Sequence, residues 1–183
     1  MKARTMVTAR ELARLPDDGF RYELIRGELV RMAPASPQHG EICANVVREL
    51  SSHVRERKLG KVYDGQTGFL LSRNPDTVRC PDAAVVLKAR AGAEQPGEPF
   101  FQGAPDLAVE VVSPGDSFQD VVDKVEMWLA SGVRSVWVID PRRRRVSIYT
   151  GPAQVQHFEL TDVIPGDPVL PDLALPVSRL FPE

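Results

Sequence analysis

The sequence predicts a mixed α/β domain in which helices pack against a β-sheet. Two long stretches with helical apolar spacing, at 36–59 and 117–131, are set among short β-rich runs. Those runs include "VRCPDAAVVLKA", "DLAVEVV" and "SVWVID". The chain has 183 residues, enough for one domain with a proper core, here expected to span 1–183.

Each element has a local signature. "TARE" at 8–11 fits a capping box, and Pro16 ends the short helix expected over 8–15. "FRYELIRGELVRM" reads as a hairpin turning at Arg26-Gly27, with Tyr22 and Leu24 on one face. Ser36 and Pro37 open a long helix as cap and first residue. Ile42, Val46, Val47, Leu50 and Val54 form its apolar face, and Lys58 with Gly60 marks its stop. "KVYDG", "TGFLLS" and "VRCPDAAVVLKA" are strand material. "AGAEQPGEPFFQGAP", residues 91–105, reads as a surface loop.

A strand at "PDLAVEVV" follows, then a helix from Asp116 or Ser117 to before Gly132. Its apolar stripe is Phe118, Val121, Val122, Val125, Trp128 and Leu129. "SVWVID" and "RVSIYT" pair through "PRRRR". The tail, 168–183, is expected to pack on the domain as a final strand and a short terminal helix.

Composition excludes several classes. Net charge is −2, so no global positive field advertises nucleic acid, although a local patch can suffice. No apolar run approaches the roughly 18 residues that cross a bilayer, and no signal-peptide h-region opens the chain. Cys43 and Cys80 form no CxxC pair and suggest reduced thiols in a cytoplasmic protein rather than zinc. GxGxxG, Walker A and HExxH motifs are absent.

Three residues carry a chemical signal. Asp82 follows Pro81 and heads the apolar run "AAVVL". Glu110 interrupts an apolar strand, where ionising a carboxylate is expensive. Lys124 lies one helical turn from both Val121 and Trp128, on the border of the buried stripe. A divalent cation would favour the charged carboxylates, and oxygen donors from neighbouring strands suit Mg²⁺ or Mn²⁺. The plainer readings are a turn role for Asp82, a structural ion pair for Glu110, and pairing of Lys124 with Asp120.

"YELIRGELVRMAPASPQHGEI", "RCPDAAVV", "GAPDLAVEVVSP", "DKVEMWLASGV" and "VWVIDPRRRRVSIY" occur in that order. Together they resemble the Uma-two family of restriction-endonuclease-like proteins within the PD-(D/E)XK nuclease superfamily. The resemblance implies a restriction-endonuclease-like mixed β-sheet flanked by helices. It implies a metal-dependent endonuclease acting on nucleic acid, DNA above all, with Asp82 and Glu110 as Mg²⁺ or Mn²⁺ ligands. The motif lysine is expected at 112, where this chain has Val112, and its counterpart in the resemblance is Lys124. Glu23 is an additional acidic site residue by the same likeness, though strand alternation alone lets it face solvent. His39 matches the pattern without an assigned role; in a first helical turn it would ordinarily be solvated or capping. The arginines of 142–145 are a solvated turn or, if nucleic acid binds, phosphate contacts. The alternative function is a catalytically inactive nuclease-fold module that binds nucleic acid or protein. A homodimer is the expected assembly.

Overall fold

The computed structural model describes residues 6–90 and 97–182. Helix α1 (Ala9–Leu12) is capped by Thr8, whose side chain accepts from the Glu11 N–H while Glu11 reaches back to the Thr8 N–H. The α-helical part is shorter than the expected 8–15, because beyond Leu12 the chain tightens into turns, with the N–H groups of Arg14 and Leu15 donating to the Glu11 and Leu12 carbonyls. Strands β1 (Arg21–Ile25) and β2 (Glu28–Met32) form the predicted hairpin. Arg26 and Gly27 both take positive φ, 48° and 79°, as a two-residue turn of matching twist demands.

Helix α2 (Pro37–Glu56) starts where the sequence places it, with the Ser36 hydroxyl accepting from the His39 N–H. Four strands follow: β3 (Gly60–Asp64), β4 (Phe69–Ser72), β5 (Thr77–Arg79) and β6 (Ala83–Leu87). The segment predicted as a loop at 91–105 is only partly so. Its first part, 91–96, lies outside the described residues, but Phe101–Gln102 forms a short strand, β7, parallel to β4. The buried Phe101 ring lies against Phe69 and Tyr63, and this packing outweighs the glycines and prolines around it.

Strand β8 (Leu107–Val111) leads through α3 (Phe118–Ala130) to β9 (Ser135–Asp140), which pairs with β8 in parallel. The parallel pairing requires the crossover that α3 supplies. Strands β10 (Arg145–Gly151) and β11 (Gln154–Phe158) extend the sheet, and β12 (Val163–Pro165) pairs with β13 (Ala174–Pro176) as a separate ribbon. A 3-10 turn at Val177–Leu180 closes the described chain.

The larger sheet has the order β11-β10-β9-β8-β6-β3, and the second has the order β2-β1-β5-β4-β7. Alternation along β8 divides the interior. Leu107, Val109 and Val111 face α2, joining Ile42, Val46, Leu50 and Val54 in one core. Ala108 faces α3 and packs with Val125 and Trp128. Glu110 shares the parity of Ala108 and so points to the α3 side. Along β6, Ala83 and Val85 join the α2 core, whereas Ala84 and Val86 meet Phe69 and Phe101 of the second sheet. The tail docks on the α2 side through Leu170, Leu173, Leu175, Val177, Leu180 and Phe181. One expected core residue is not there: Phe118 is 84% exposed, because only the carboxyl-terminal half of α3, at Val125 and Trp128, is buried.

Candidate active site

Antiparallel pairing of β6 with β8 fixes the centre. The register matches Ala83 with Val109 and Ala84 with Ala108, so Asp82 lies just past the last of these pairs, at the end of β8 that carries Glu110. The Asp82 N–H continues the ladder by donating to the Val109 carbonyl at 2.9 Å. Its side chain then bends inward, and Oδ2 accepts from the Val111 N–H at 2.8 Å. Pro81 ahead of it provides no N–H, so the chain turns at this point without losing a ladder bond.

Glu110 is 8% exposed. Its Oε1 accepts from the Trp128 indole N–H at 2.8 Å, and its Oε2 lies 3.4 Å from Lys124 Nζ. Burial pushes the carboxyl up, to about 7, against the lowering pull of Lys124; nearby Asp82 adds to the rise. Lys124 forms its ion pairs with Glu110 and Asp116, while the Asp120 carboxylate caps the helix at Ser117 and feels the lysine only through its charge. It reaches back over the sheet end, 3.4 Å from Glu110 and 3.8 Å from Asp116. Burial pulls its pKa down, but the two carboxylates outweigh that effect and leave it above the ordinary lysine value.

His39 is not solvated. It approaches Asp82 from the α2 side of the sheet, with Nε2 3.4 Å from Asp82 Oδ2 and 3.1 Å from the Val111 carbonyl. A carbonyl can only accept, so Nε2 carries a proton. Nδ1 faces Cys43 Sγ at 3.4 Å. The hydrogen bond to Asp82, then that to Cys43, raises His39 to about 10. Glu23 does not face solvent either. It is 2% exposed, accepts from the Cys80 N–H at 2.8 Å and pairs with Arg79 Nε at 3.0 Å. The Arg79 N–H is not aimed at the oxygen, so this contact is an ion pair rather than a directed hydrogen bond.

Glu23, His39, Asp82, Glu110 and Lys124 all line one cavity of about 1280 Å³. Arg21, Arg31 and Arg48 also line it and supply positive charge, and Asp64 and Gln66 border it. The arginine turn lies close by, where Arg142 donates to the Pro114 carbonyl at 3.1 Å. Asp140 is a turn residue, accepting from the N–H groups of Arg142 and Arg143.

The donor set fits a hard divalent cation. Asp82, Glu110 and the Val111 carbonyl offer oxygen at one strand end, and Glu110 is a buried carboxylate whose charge Lys124 only partly offsets. Among the described residues, His39, Cys43 and Asp82 also offer one ligand atom each within 4.8 Å of one another. Three contributors were hidden from sequence reasoning. Trp128 reads as core and nothing more, Asp116 as a helix start, and the cysteine spacing gives no metal signal; only the fold brings them to the cavity.

The mixed sheet flanked by helices places the protein in the restriction-endonuclease-like class. The chain belongs to the Uma2 family, described as "Putative restriction endonuclease", which matches residues 9–178. A solved structure described as "a putative nuclease belonging to DUF820", from Anabaena variabilis, aligns with a TM-score of 0.80 and 25% identity. The alignment covers 96% of this chain and 97% of that one. No curated protein is significantly similar.

Proposed function

We propose that the protein is a metal-dependent nuclease that hydrolyses phosphodiester bonds of DNA. The observation that carries this reading is the placement of Asp82 beside the end of β8 that carries Glu110, both of them lining an arginine-lined cavity. Asp82, Glu110 and the Val111 carbonyl would hold Mg²⁺ or Mn²⁺. Such an ion supplies charge stabilisation at the phosphoryl oxygens and a more acidic water.

The chain's own residues do the rest. Lys124, held between Glu110 and Asp116, orients the attacking water and offsets negative charge as it develops. His39 braces the Asp82 carboxylate from the other face. Glu23 fixes Arg79 and the Cys80 backbone, which positions the Cys80–Pro81–Asp82 turn. Arg21, Arg31 and Arg48 meet the phosphate backbone. We place the reaction in the cytoplasm, where the unpaired Cys43 and Cys80 would stay reduced. No helix among the described residues is long and apolar enough to cross a membrane. A homodimer would present two such sites to two strands.

The test is cleavage of varied DNA and RNA substrates with Mg²⁺ or Mn²⁺. Asp82→Asn and Glu110→Gln should each lower the rate by at least about a hundredfold, a loss of roughly 2.7 kcal/mol of transition-state stabilisation. Cleavage that survives both substitutions removes the site assignment.

A second reading, a catalytically inactive module binding nucleic acid or protein, draws on one observation. Each carboxylate already has a cationic neighbour: Lys124 for Glu110, His39 for Asp82 and Arg79 for Glu23. Calorimetry separates the two, since the module shows no heat of divalent-ion binding that Glu110→Gln alters.

A further inference from the structure

Cys43 has no part in the hydrolytic reading, yet it lines the same cavity. It sits four residues after His39 on α2, so the two side chains share one helix face a turn apart. Asp82 meets them from the strand end. Sγ lies 3.4 Å from His39 Nδ1, and Asp82 Oδ2 lies 3.4 Å from His39 Nε2. One donor atom from each of the three residues lies within 4.8 Å of the others, and donors bound to a tetrahedral zinc ion at 2.0–2.3 Å stand roughly 3.3–3.7 Å apart, so the set has only to draw in by about an ångström. Each ring nitrogen now faces a different partner. A modest turn of the imidazole, with rotation of the thiol and release of a proton from each to solvent as the metal binds, would give one nitrogen and the thiolate to an ion shared by all three. The cavity leaves room for water at a fourth position.

The donor types decide which ion. Sulfur, imidazole nitrogen and one carboxylate oxygen are a poor set for Mg²⁺, which takes oxygen and retains water. They suit a borderline cation of the zinc class. We propose that His39, Cys43 and Asp82 form a separate soft-metal site for Zn²⁺ or a chemically similar divalent ion. The site shares Asp82 with the hard-ion position but does not depend on the nuclease reading, because Glu110 and Lys124 have no place in it.

Cobalt makes the site visible. Co²⁺ titrated into the metal-free full-length protein should give a near-ultraviolet thiolate-to-cobalt charge-transfer band and the strong visible bands of four-coordination, at one ion per chain. Zn²⁺ should bleach both. Cys43→Ser should abolish the charge-transfer band, and Cys80→Ser and Glu110→Gln should keep it. His39→Ala should weaken Zn²⁺ binding by at least the roughly 10–100-fold that loss of an outer-shell partner costs. Absence of the charge-transfer band in the unaltered protein, or its survival in Cys43→Ser, overturns the proposal. Glu110→Gln separates the two ideas, since it should lose cleavage while retaining the cobalt spectrum.

Discussion

Glu110 shows how one buried carboxylate ties stability to pH. Its folded pKa of about 7 stands above the 4.5 expected in the unfolded chain. The unfolded state therefore loses its proton first as pH rises. The stabilising contribution is complete below 4.5 and is lost as pH climbs through about 7. For the metal-free protein this amounts to something on the order of 3 kcal/mol. His39, raised from 6.5 to about 10, has the same sign and extends the decline over that higher window. Thermal or urea unfolding across pH 4 to 10 should show these two contributions as a decline with rising pH, opposed by His53, which burial holds below its ordinary value. Glu110→Gln should flatten the profile between about 4.5 and 7; an unchanged slope there refutes the assignment. Glu110 could be picked out from sequence because a carboxylate inside an apolar strand has no cheap explanation. Its indole partner could not, since Trp128 in an apolar helical stripe reads as core, and the stripe says nothing about where its N–H points.

At the scale of elements, α3 holds Lys124 over the sheet end, so its start position matters. Ser117 caps it reciprocally with Asp120: the hydroxyl accepts from the Asp120 N–H, and the Asp120 carboxylate accepts from the Ser117 N–H. Ser117→Ala should cost about 1 kcal/mol in chemical denaturation. It should also loosen Lys124, so the proposed hydrolysis should slow by more than the lost folded fraction explains. This helix was legible because cap and stripe agree in phase. The exposure of Phe118 was not, because periodicity assigns a face but cannot say where the neighbouring sheet ends. Short strands posed a similar difficulty: β7 has two residues and no pattern of its own, and only its pairing with β4 makes it a strand. Glu23 was ambiguous for the opposite reason. β1 lies between β2 and β5 and its Glu23 side faces the site cavity, so parity alone could not decide burial.

Across the whole molecule, the tail packs with α2 in one core, against which Cys43 lies, and Asn45 of α2 donates to the Leu180 carbonyl. Leu180 is fully buried among the residues packed against α2, and Leu180→Ala should destabilise the protein by about 2–5 kcal/mol in urea titration. A value below 1 kcal/mol would show that the tail is an accessory to the core rather than part of it. The sheet order could not be read from sequence, because it depends on which distant strands pair. The site depends on it directly: β6 beside β8 brings Asp82 to Glu110, and the crossover through α3 returns Lys124 to the same end. One bond in this arrangement has a practical use. The Val111 amide proton is held by a carboxylate instead of a neighbouring strand's carbonyl. In a nitrogen–proton correlation spectrum its resonance should therefore track the electron density on Asp82, so one backbone peak would register whatever lays claim to that side chain before any product is made.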